Sequence, residues 1–206
     1  MRYIGPKNRI SRREGVDLGL KTPGSKNHLR LLRKISISPG QHGLKRKRKI
    51  SERGRQLREK QKLRFIFGIT EKKLKQYYKK AKKKTGNTAL YLANFLEKRL
   101  DNVVYRLGFA PTRASARQLV SHRHIKVNDK IINIPSYSVK VGDKISIADE
   151  KILKIDYVKK QLVNKDILLP AWLKKRETEG ELVSEPNADE VNKQVDLRLV
   201  IEYYSR

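Results

Sequence analysis

The spacing of apolar residues predicts two helices in the middle of the chain. The first begins after a capping Ser51 and ends near Phe67, where Gly68 supplies a left-handed terminal residue. The second follows a capping Thr70, and its apolar positions recur at intervals of three and four residues: Leu74, Tyr77, Tyr78 and Ala81. Because these positions share one face, we expect both tyrosines to pack between helices. The opposite face carries Lys72, Lys73, Lys75, Lys79, Lys80, Lys82, Lys83 and Lys84.

Two helices followed by a hairpin are predicted between residues 88 and 147. One helical face ends at Gly108 and consists of Leu92, Ala93, Leu96, Leu100, Val103, Val104 and Leu107. Thr112 is placed to cap a shorter helix, in which Arg113 and Arg117 lie four residues apart and can span adjacent phosphates. Alternation predicts strands over 124–127 and 130–134 around a turn at Asn128–Asp129, and further strands over 139–141 and 144–147. A small antiparallel sheet packed against the helices is therefore expected.

The two ends of the chain carry weaker patterns. The first 50 residues indicate irregular chain punctuated by glycine and proline, with one helix near 26–35. Near the other end, alternation predicts a final strand added to the same sheet, with apolar residues at Leu197, Leu199, Ile201 and Tyr203. Trp172 is expected in a core. The carboxylates between residues 177 and 190 indicate a solvated loop or a contact for a basic neighbour.

An excess of basic residues points to the kind of partner. The chain has 206 residues, of which 50 are Lys or Arg and 21 are Asp or Glu, so its net charge is +29. Residues 1–84 hold 29 basic and 5 acidic residues, and residues 45–49 are five consecutive cations. Such a run repels itself in the free protein and is attracted to phosphates with release of counterions. We therefore expect a polyanionic partner, on which the first part of the chain depends for full order.

Several classes of function are disfavoured. The chain has no Cys, which removes disulfides, thiolate zinc ligands and a cysteine nucleophile. No apolar run approaches the roughly 18 residues of a membrane span, and the first residues lack the apolar stretch of a signal peptide. His122 and His124 have no clustered carboxylate as a co-ligand, and neither a glycine-rich phosphate loop nor a nucleophile elbow occurs. We expect no enzyme activity, no cofactor and no metal.

A set of short runs in a fixed order identifies a family. In the middle of the chain they are Arg99–Phe109, Thr112–Arg113, Ala116–His122, His124–Ile125 and Val127–Asn128. Outside it they are Tyr3–Pro6, Arg12–Gly15, Pro39–Gly43, Asn133–Tyr137 and Glu202–Arg206. Together these runs closely resemble ribosomal protein S-four of the small subunit, essentially from end to end. The middle runs correspond to the RNA-binding module of that family.

Three departures from the family pattern affect local expectations. Asn8 and Ser11 stand where many members have zinc-binding Cys, so the chain resembles a zinc-free form. Arg123 stands where Gly is expected between two histidines, and it adds a candidate phosphate contact. Asp129 stands where Asn-Gly is common in the hairpin turn, which predicts strain in that turn.

Pattern and resemblance together predict an α+β fold. We expect a basic, mainly helical N-terminal domain plus a compact helix-helix-hairpin RNA-binding module with a small antiparallel sheet. Residues 1–45 are predicted to form an extended basic segment, and residues 46–88 a basic helical region with C-terminal parts packing nearby. The module is predicted over 89–150. Residues 151–206 are expected to form a C-terminal helix, loop and strand that complete the second domain.

The resemblance implies a structural role in the small ribosomal subunit. Members of this family bind a multi-helix junction in the 5′ domain of small-subunit ribosomal RNA, nucleate assembly and support decoding fidelity. The implied neighbours are ribosomal protein S-five, other small-subunit proteins and mRNA near the path by which it enters. Neither a membrane nor an obligate homo-oligomer is expected. The implied location is the small ribosomal subunit in the cytoplasm, with an organellar ribosome left open.

Clustering of basic and polar side chains provides the hypothesis for RNA contacts. In the module the candidates are Arg99, Arg113, Arg117, Gln118, His122, Arg123, His124 and Lys126. In the N-terminal part they are Arg2, Tyr3, Arg12, Arg13, Lys45, Arg46, Lys47, Arg48, Lys49, Arg53 and Arg58.

The alternatives belong to other classes. The first is a stand-alone RNA-binding factor with the same module that acts on ribosomal subunits or tRNA, although it would not need the basic N-terminal segment. An RNA-modifying enzyme would need a further catalytic domain. A membrane-surface protein would need bulky apolar residues free to insert, and those of the basic helix are better used in a core.

Overall fold

The computed structural model describes residues 3–45, 49–148, 155, 158, 169–176 and 178–205. Two compact units divide the chain, the first formed by Met1–Ala89 with Asp189–Arg206 and the second by Leu90–Ala188. The predicted C-terminal region 151–206 is therefore split between the two units. The described helices are α1 (Lys7–Glu14), α2 (Lys26–Leu32), α3 (Glu52–Ile66), α4 (Glu71–Lys82), α5 (Thr88–Glu97), α6 (Leu100–Arg106), α7 (Arg113–Ser121), α8 (Asp189–Asn192) and α9 (Leu197–Ser205). The strands are β1 (Ile125–Val127), β2 (Lys130–Ile131), β3 (Lys144–Ile147), β4 (Leu173–Arg176) and β5 (Glu179–Leu182).

Side-chain caps begin three helices of the first unit. The hydroxyls of Ser25, Ser51 and Thr70 each accept a hydrogen bond from the backbone N–H three residues later, which satisfies one donor of the first turn. The predictions for α2, α3 and α4 are thereby confirmed. Tyr77 and Tyr78 are buried, as expected for side chains that pack between helices.

Helix α1 was not predicted from the sequence. Its eight residues contain a single apolar side chain, Ile10, so no periodicity marks it. The helix ends at Gly15, whose positive φ allows its N–H to bond back to the carbonyl of Ser11. The Asn8 side chain donates to the carbonyl of Asn27, and that bond ties α1 to α2.

The predicted C-terminal strand is wrong, because residues 197–205 form helix α9. Leu197 and Val200 are fully buried while Leu199 and Ile201 are only half-buried, which is the three-residue spacing of a helix and not the alternation of a strand. Asp196 caps the helix by accepting the backbone N–H groups of residues 198 and 199. Helix α9 packs against α3 and α4 in the first unit and does not join the sheet.

The sheet of the second unit has five antiparallel strands in the order β2-β1-β3-β5-β4. Strands β1, β2 and β3 confirm three of the predicted strands, although β2 is shorter than expected. Strand β5 contains Glu179 and Glu181, so the expectation of a solvated loop is wrong for this part of the acidic segment. Asn128 and Asp129 both have positive φ, as the predicted tight hairpin turn requires.

The long helical face predicted before Gly108 is divided into α5 and α6. Between them Arg99 is extended and forms an isolated bridge with Ser138, while the N–H of residue 100 donates to the carbonyl of Tyr137. The N–H of Val139 likewise donates to the carbonyl of Lys98. Residues 139–141 do not form a strand of the sheet, so the strand predicted there is wrong. Pairing with a distant segment therefore overrides the local helical pattern.

One apolar core joins α6 and α7 to the sheet. Its fully buried members include Leu100, Val103, Val104, Leu107, Phe109, Ala116, Val120, Ile125, Val139, Ile145 and Leu182. Trp172 is buried in the same cluster, which confirms its predicted core position. None of the described helices combines the length and the apolar character that crossing a bilayer requires.

A helical and an extended C-terminus predict opposite orders for the loss of stability that two neighbouring substitutions cause. Replacing the fully buried Val200 by Ala should lower the free energy of unfolding by about 2 kcal/mol through lost burial and a residual cavity. Replacing the half-buried Leu199 by Ala should cost less, although it removes more atoms. Urea unfolding monitored by far-ultraviolet circular dichroism measures both changes, and a larger loss for Leu199→Ala would contradict the helical packing.

Candidate RNA interface

The end of α7, the turn after it and strand β1 carry the predicted contact residues of the module that reach solvent. Thr112 begins α7 in a capping box with Ser115, and the helix ends at His122. The N–H of Arg123 then donates to the carbonyl of Val120, and the N–H of His124 to that of Leu119, which is the Schellman pattern of helix termination. Gln118, His122 and Arg123 are exposed, while His124 and Lys126 are partly exposed.

Arg123 occupies a backbone position that favours glycine. Its φ of 65° lies in the left-handed region, where a side chain costs about 1 kcal/mol or more. Helix α6 ends with the same pair of hydrogen bonds, and there Gly108 holds the corresponding position with a φ of 73°. The resemblance led us to expect glycine at 123, and the backbone conformation supplies the physical reason.

The exposed face of the sheet extends this basic surface. Lys126, Lys144 and Lys174 alternate along their strands with core residues, so they point away from the apolar cluster. The strand registers place Glu181 between Lys144 and Lys174, and Glu179 opposite Arg176. Lys174 and Arg176 were not among the predicted contacts because β4 was not predicted, whereas Lys144 was not among them although its strand was predicted.

Asp101 binds two of the predicted RNA-contact arginines inside the module. This carboxylate is 3% exposed, and it accepts hydrogen bonds from Arg99 at 2.9 and 3.1 Å and from Nε of Arg117 at 2.8 Å. Arg99 is buried and Arg117 is partly exposed. A carboxylate that is shielded from water in this way is stable only with such partners. Arg117 therefore holds α7 against α6, while Arg99 binds the same carboxylate from the residue before α6.

A second buried carboxylate, Glu97 at the end of α5, binds two side chains of α6. It accepts hydrogen bonds from Arg106 at 2.8 and 3.1 Å and from the amide of Asn102 at 2.6 Å. Asn102 in turn accepts a 2.8 Å bond from Nε of Arg113, whose guanidinium lies 4.5 Å from the centre of the Tyr105 ring. Burial and the nearby Arg106 lower the pKa of Arg113, whereas Glu97 and Asp101 raise it.

Seven of the eight predicted contacts of the module thus fall into two groups, and the partly exposed His124 is the eighth. Gln118, His122, Arg123 and Lys126 present polar groups to solvent. Arg99, Arg113 and Arg117 are held by side chains of α6. A direct phosphate contact by Arg113 and Arg117 stays a prediction, and their internal hydrogen bonds favour a role in positioning the exposed group.

The N-terminal candidates divide in the same way. Arg12 donates to the carbonyls of Ile37 and Ser38 at 3.0 and 3.2 Å, and Arg58 binds Glu14 at 3.0 Å. Tyr3 is 44% exposed and lies edge-on to Phe65. The remaining described candidates, which are exposed, are Arg13, Lys45, Lys49 and Arg53. Arg2, Arg46, Lys47 and Arg48 lie outside the described residues.

Metal chemistry finds no support among the described residues, where no group of three or more His, Cys, Asp or Glu is arranged to hold an ion. His28 has a structural role instead. Its Nε2 lies 2.8 Å from a carboxylate oxygen of Asp17, and its Nδ1 accepts the N–H of Gly24. Because Nδ1 accepts a hydrogen bond, the ring N–H is on Nε2, which donates a hydrogen bond to the Asp17 carboxylate.

The chain has two basic units, and the second is an α+β module with an exposed polar turn. This combination defines an RNA-binding protein of the module class found in ribosomal proteins. The family described as "Ribosomal protein S4/S9 N-terminal domain" matches residues 2–97, and the family described as "S4 domain" matches residues 98–145. The chain therefore belongs to the ribosomal protein S4 family. This membership confirms the predicted α+β class and the interpretation as a structural protein and not an enzyme.

Similarity to curated relatives extends over the whole chain. The chain is 43% identical over 207 residues to the small ribosomal subunit protein uS4 of Delftia acidovorans. The identity is also 43% to the proteins of the same name from Chromobacterium violaceum and Neisseria meningitidis. Each comparison covers 100% of this chain and 99% of the relative.

Asp101→Asn should destabilise the second unit more than any surface change of the same kind. It keeps the shape of the side chain but leaves two guanidiniums without their counter-charge in a buried site, so the free energy of unfolding should fall by about 3 kcal/mol. The matched control is Asp129→Asn, because Asp129 is exposed and the change should stay within about 0.5 kcal/mol. Chemical denaturation measures both, and equal effects would rule out the structural role of Asp101.

Arg123→Gly should make the module more stable. Glycine adopts a φ of 65° without the cost of a side chain, so the free energy of unfolding should rise by about 0.5–1 kcal/mol. Arg123→Ala is the control, since it removes the guanidinium but keeps a side chain in the left-handed region. Thermal unfolding should therefore rank glycine above both alanine and arginine, and equal midpoints for glycine and alanine would contradict the backbone argument.

Proposed function

We propose that this protein is a primary ribosomal RNA-binding constituent of the small ribosomal subunit. Its binding site is a multi-helix junction in the 5′ domain of the small-subunit ribosomal RNA, where binding nucleates assembly. The observation that carries this proposal is the end-to-end similarity to relatives named small ribosomal subunit protein uS4. A stand-alone RNA-binding factor is not favoured, because the similarity includes the basic N-terminal segment and the C-terminal helix.

The distribution of polar groups supports recognition of folded RNA by its shape. The deep major groove of an RNA helix is closed to side chains, so proteins recognise junctions through phosphates and 2′-hydroxyls. In the second unit, the buried network around Asp101 and Glu97 holds α7 and its turn in a defined orientation. In the first unit, exposed cations on α4 and at Lys45, Lys49 and Arg53 supply adaptable phosphate contacts. The module sets the register, and the basic segments add affinity.

The same assignment extends to neighbours and location. We place the protein in the cytoplasmic small subunit beside ribosomal protein S-five and near the path by which mRNA enters, where it supports decoding fidelity. Carboxylates on strand β5 and in the segment after it provide acidic groups for a basic neighbour, which a surface that contacts RNA alone would lack.

Binding to the 5′-domain fragment of small-subunit ribosomal RNA tests the proposal. At physiological salt the full chain should keep nanomolar affinity for this fragment in the presence of excess tRNA, because affinity for a specific site exceeds affinity for non-specific RNA by a factor of roughly 10³ or more. Arg123→Ala should weaken binding and reduce the slope of log affinity against log salt by about one unit. Lys193→Ala is the control, since Lys193 pairs with Glu190 and should leave the slope unchanged. Complete displacement by tRNA would show that the chain binds the fragment only through non-specific charge attraction, and it would contradict the proposal.

A further inference from the structure

An open cavity of about 540 Å³ lies between α4 and α9 within the first unit. It is lined by Lys75, Tyr78, Lys79, Lys82, Lys83 and Tyr204. Three of these lysines and Tyr78 follow one another on α4 at intervals of three, one and three residues, so they share one face of the helix. The volume is within the range of about 300–1,000 Å³ that is typical of small-ligand sites.

The positive charge of this cavity is not neutralised by carboxylates of the described residues. Among the described residues, no side chain or backbone group forms an ion pair or a hydrogen bond with the ammonium groups of these four lysines. The only carboxylate on α4 is Glu71, and it already accepts hydrogen bonds from Nζ of Lys60 at 3.0 Å and from the hydroxyl of Tyr204 at 2.7 Å. The cavity therefore attracts an anion.

The base of the cavity is aromatic and held in place. The rings of Tyr78 and Tyr204 are stacked, with centroids 5.0 Å apart and an angle of 26° between their planes. Tyr203 lies edge-on to Tyr204 at 5.5 Å. Burial and the hydrogen bond to Glu71 raise the pKa of Tyr204, so its hydroxyl stays neutral and fixed. A ligand thus finds preformed ring surface and the aliphatic stems of lysines together with ammonium groups.

We propose that this cavity binds a single unpaired nucleotide of RNA, whose base packs on the partly exposed ring of Tyr204, which the buried Tyr78 supports, and whose flanking phosphates contact the lysines. Aromatic surface and cations within one site match the two parts of a nucleotide, and an unpaired base contributes about 1–3 kcal/mol through such contacts. A continuous duplex offers phosphates but no accessible base. This proposal deepens the RNA-binding function and rests on it, because it names the element of RNA that the first unit selects.

Three RNA hairpins of equal length test the proposal with the full chain. One is fully paired, one carries a single-nucleotide bulge, and one carries an abasic site at the bulge. The wild-type chain should bind the bulged hairpin roughly tenfold more tightly than the other two, as expected for one base contact. Equal affinity for the bulged and abasic hairpins would show that phosphate alone is bound and would overturn the proposal.

Matched lysine pairs separate the cavity from general charge. Lys79→Ala with Lys82→Ala should abolish the preference for the bulge, whereas Lys72→Ala with Lys80→Ala should weaken binding to all three hairpins equally and keep the preference. The two double variants have the same net charge and lie on the same helix. Equal loss of the preference in both would contradict a defined site.

Tyr204 provides a second measurement that does not depend on charge. Tyr204→Leu should reduce the preference for the bulge, and Tyr204→Phe should keep it, because the ring and not the hydroxyl faces the base. Circular dichroism measures whether α9 is retained in each variant. If Tyr204→Leu loses the helix, the comparison of the two double lysine variants tests the proposal by itself. A glutamate-rich peptide that binds more tightly than the bulged hairpin, with the same dependence on Lys79 and Lys82, would assign the cavity to a protein partner instead.

The outcome is distinguishable from the test of ribosomal function. Specific binding of the 5′-domain fragment without any preference for the bulged hairpin would reject only the nucleotide site. A preference for the bulged hairpin with complete loss of fragment binding to tRNA would reject only the ribosomal assignment.

Discussion

Repulsion among basic side chains is the constraint under which both units fold. With a net charge of +29, the chain can close a core only where carboxylates separate or neutralise the cations nearest to it. Asp101 and Glu97 do so in the second unit, where each lies among two or more hydrogen-bond donors. In the first unit Glu71 bridges Lys60 and Tyr204, and Glu59 binds both Lys62 and the backbone N–H before α9. The few carboxylates therefore join elements that lie far apart in sequence.

This use of the carboxylates divides the cations into two functional classes. Those that meet a buried acid, such as Arg99 and Arg106, stabilise the fold and orient neighbouring elements. The RNA contacts that we propose come from cations that meet no buried acid among the described residues, such as Arg123 and the lysines of α4. Arg123 also occupies a conformation that glycine would adopt at lower cost, so the turn gives up stability for a basic side chain. A strongly basic composition alone could not separate the two classes.

Local rules predicted those parts of the site that depend on neighbours in sequence. The caps at Ser51, Thr70 and Thr112, the hairpin turn and the exposed positions of α7 follow from hydrogen bonds and periodicity within a few residues. The predicted phosphate-spanning pair, Arg113 and Arg117, shows the limit of this reasoning. Their spacing places them on one face of α7, but only the packing of α6 decides that Asn102 and Asp101 lie opposite them.

The sequence by itself determined the family, the α+β class, the RNA-binding role and the starts of helices α2, α3, α4 and α7. These rest on composition, on motifs and on contacts within one turn of helix or one hairpin. The tertiary structure decided the break at Arg99, the C-terminal helix, strands β4 and β5 and the tyrosine cavity. Each of these depends on a partner many residues away. At the C-terminus, the apolar residues Leu197, Val200, Ile201 and Tyr204 fit a helix as well as the alternation at Leu197, Leu199, Ile201 and Tyr203 fits a strand. Only the surface available for packing selects between them.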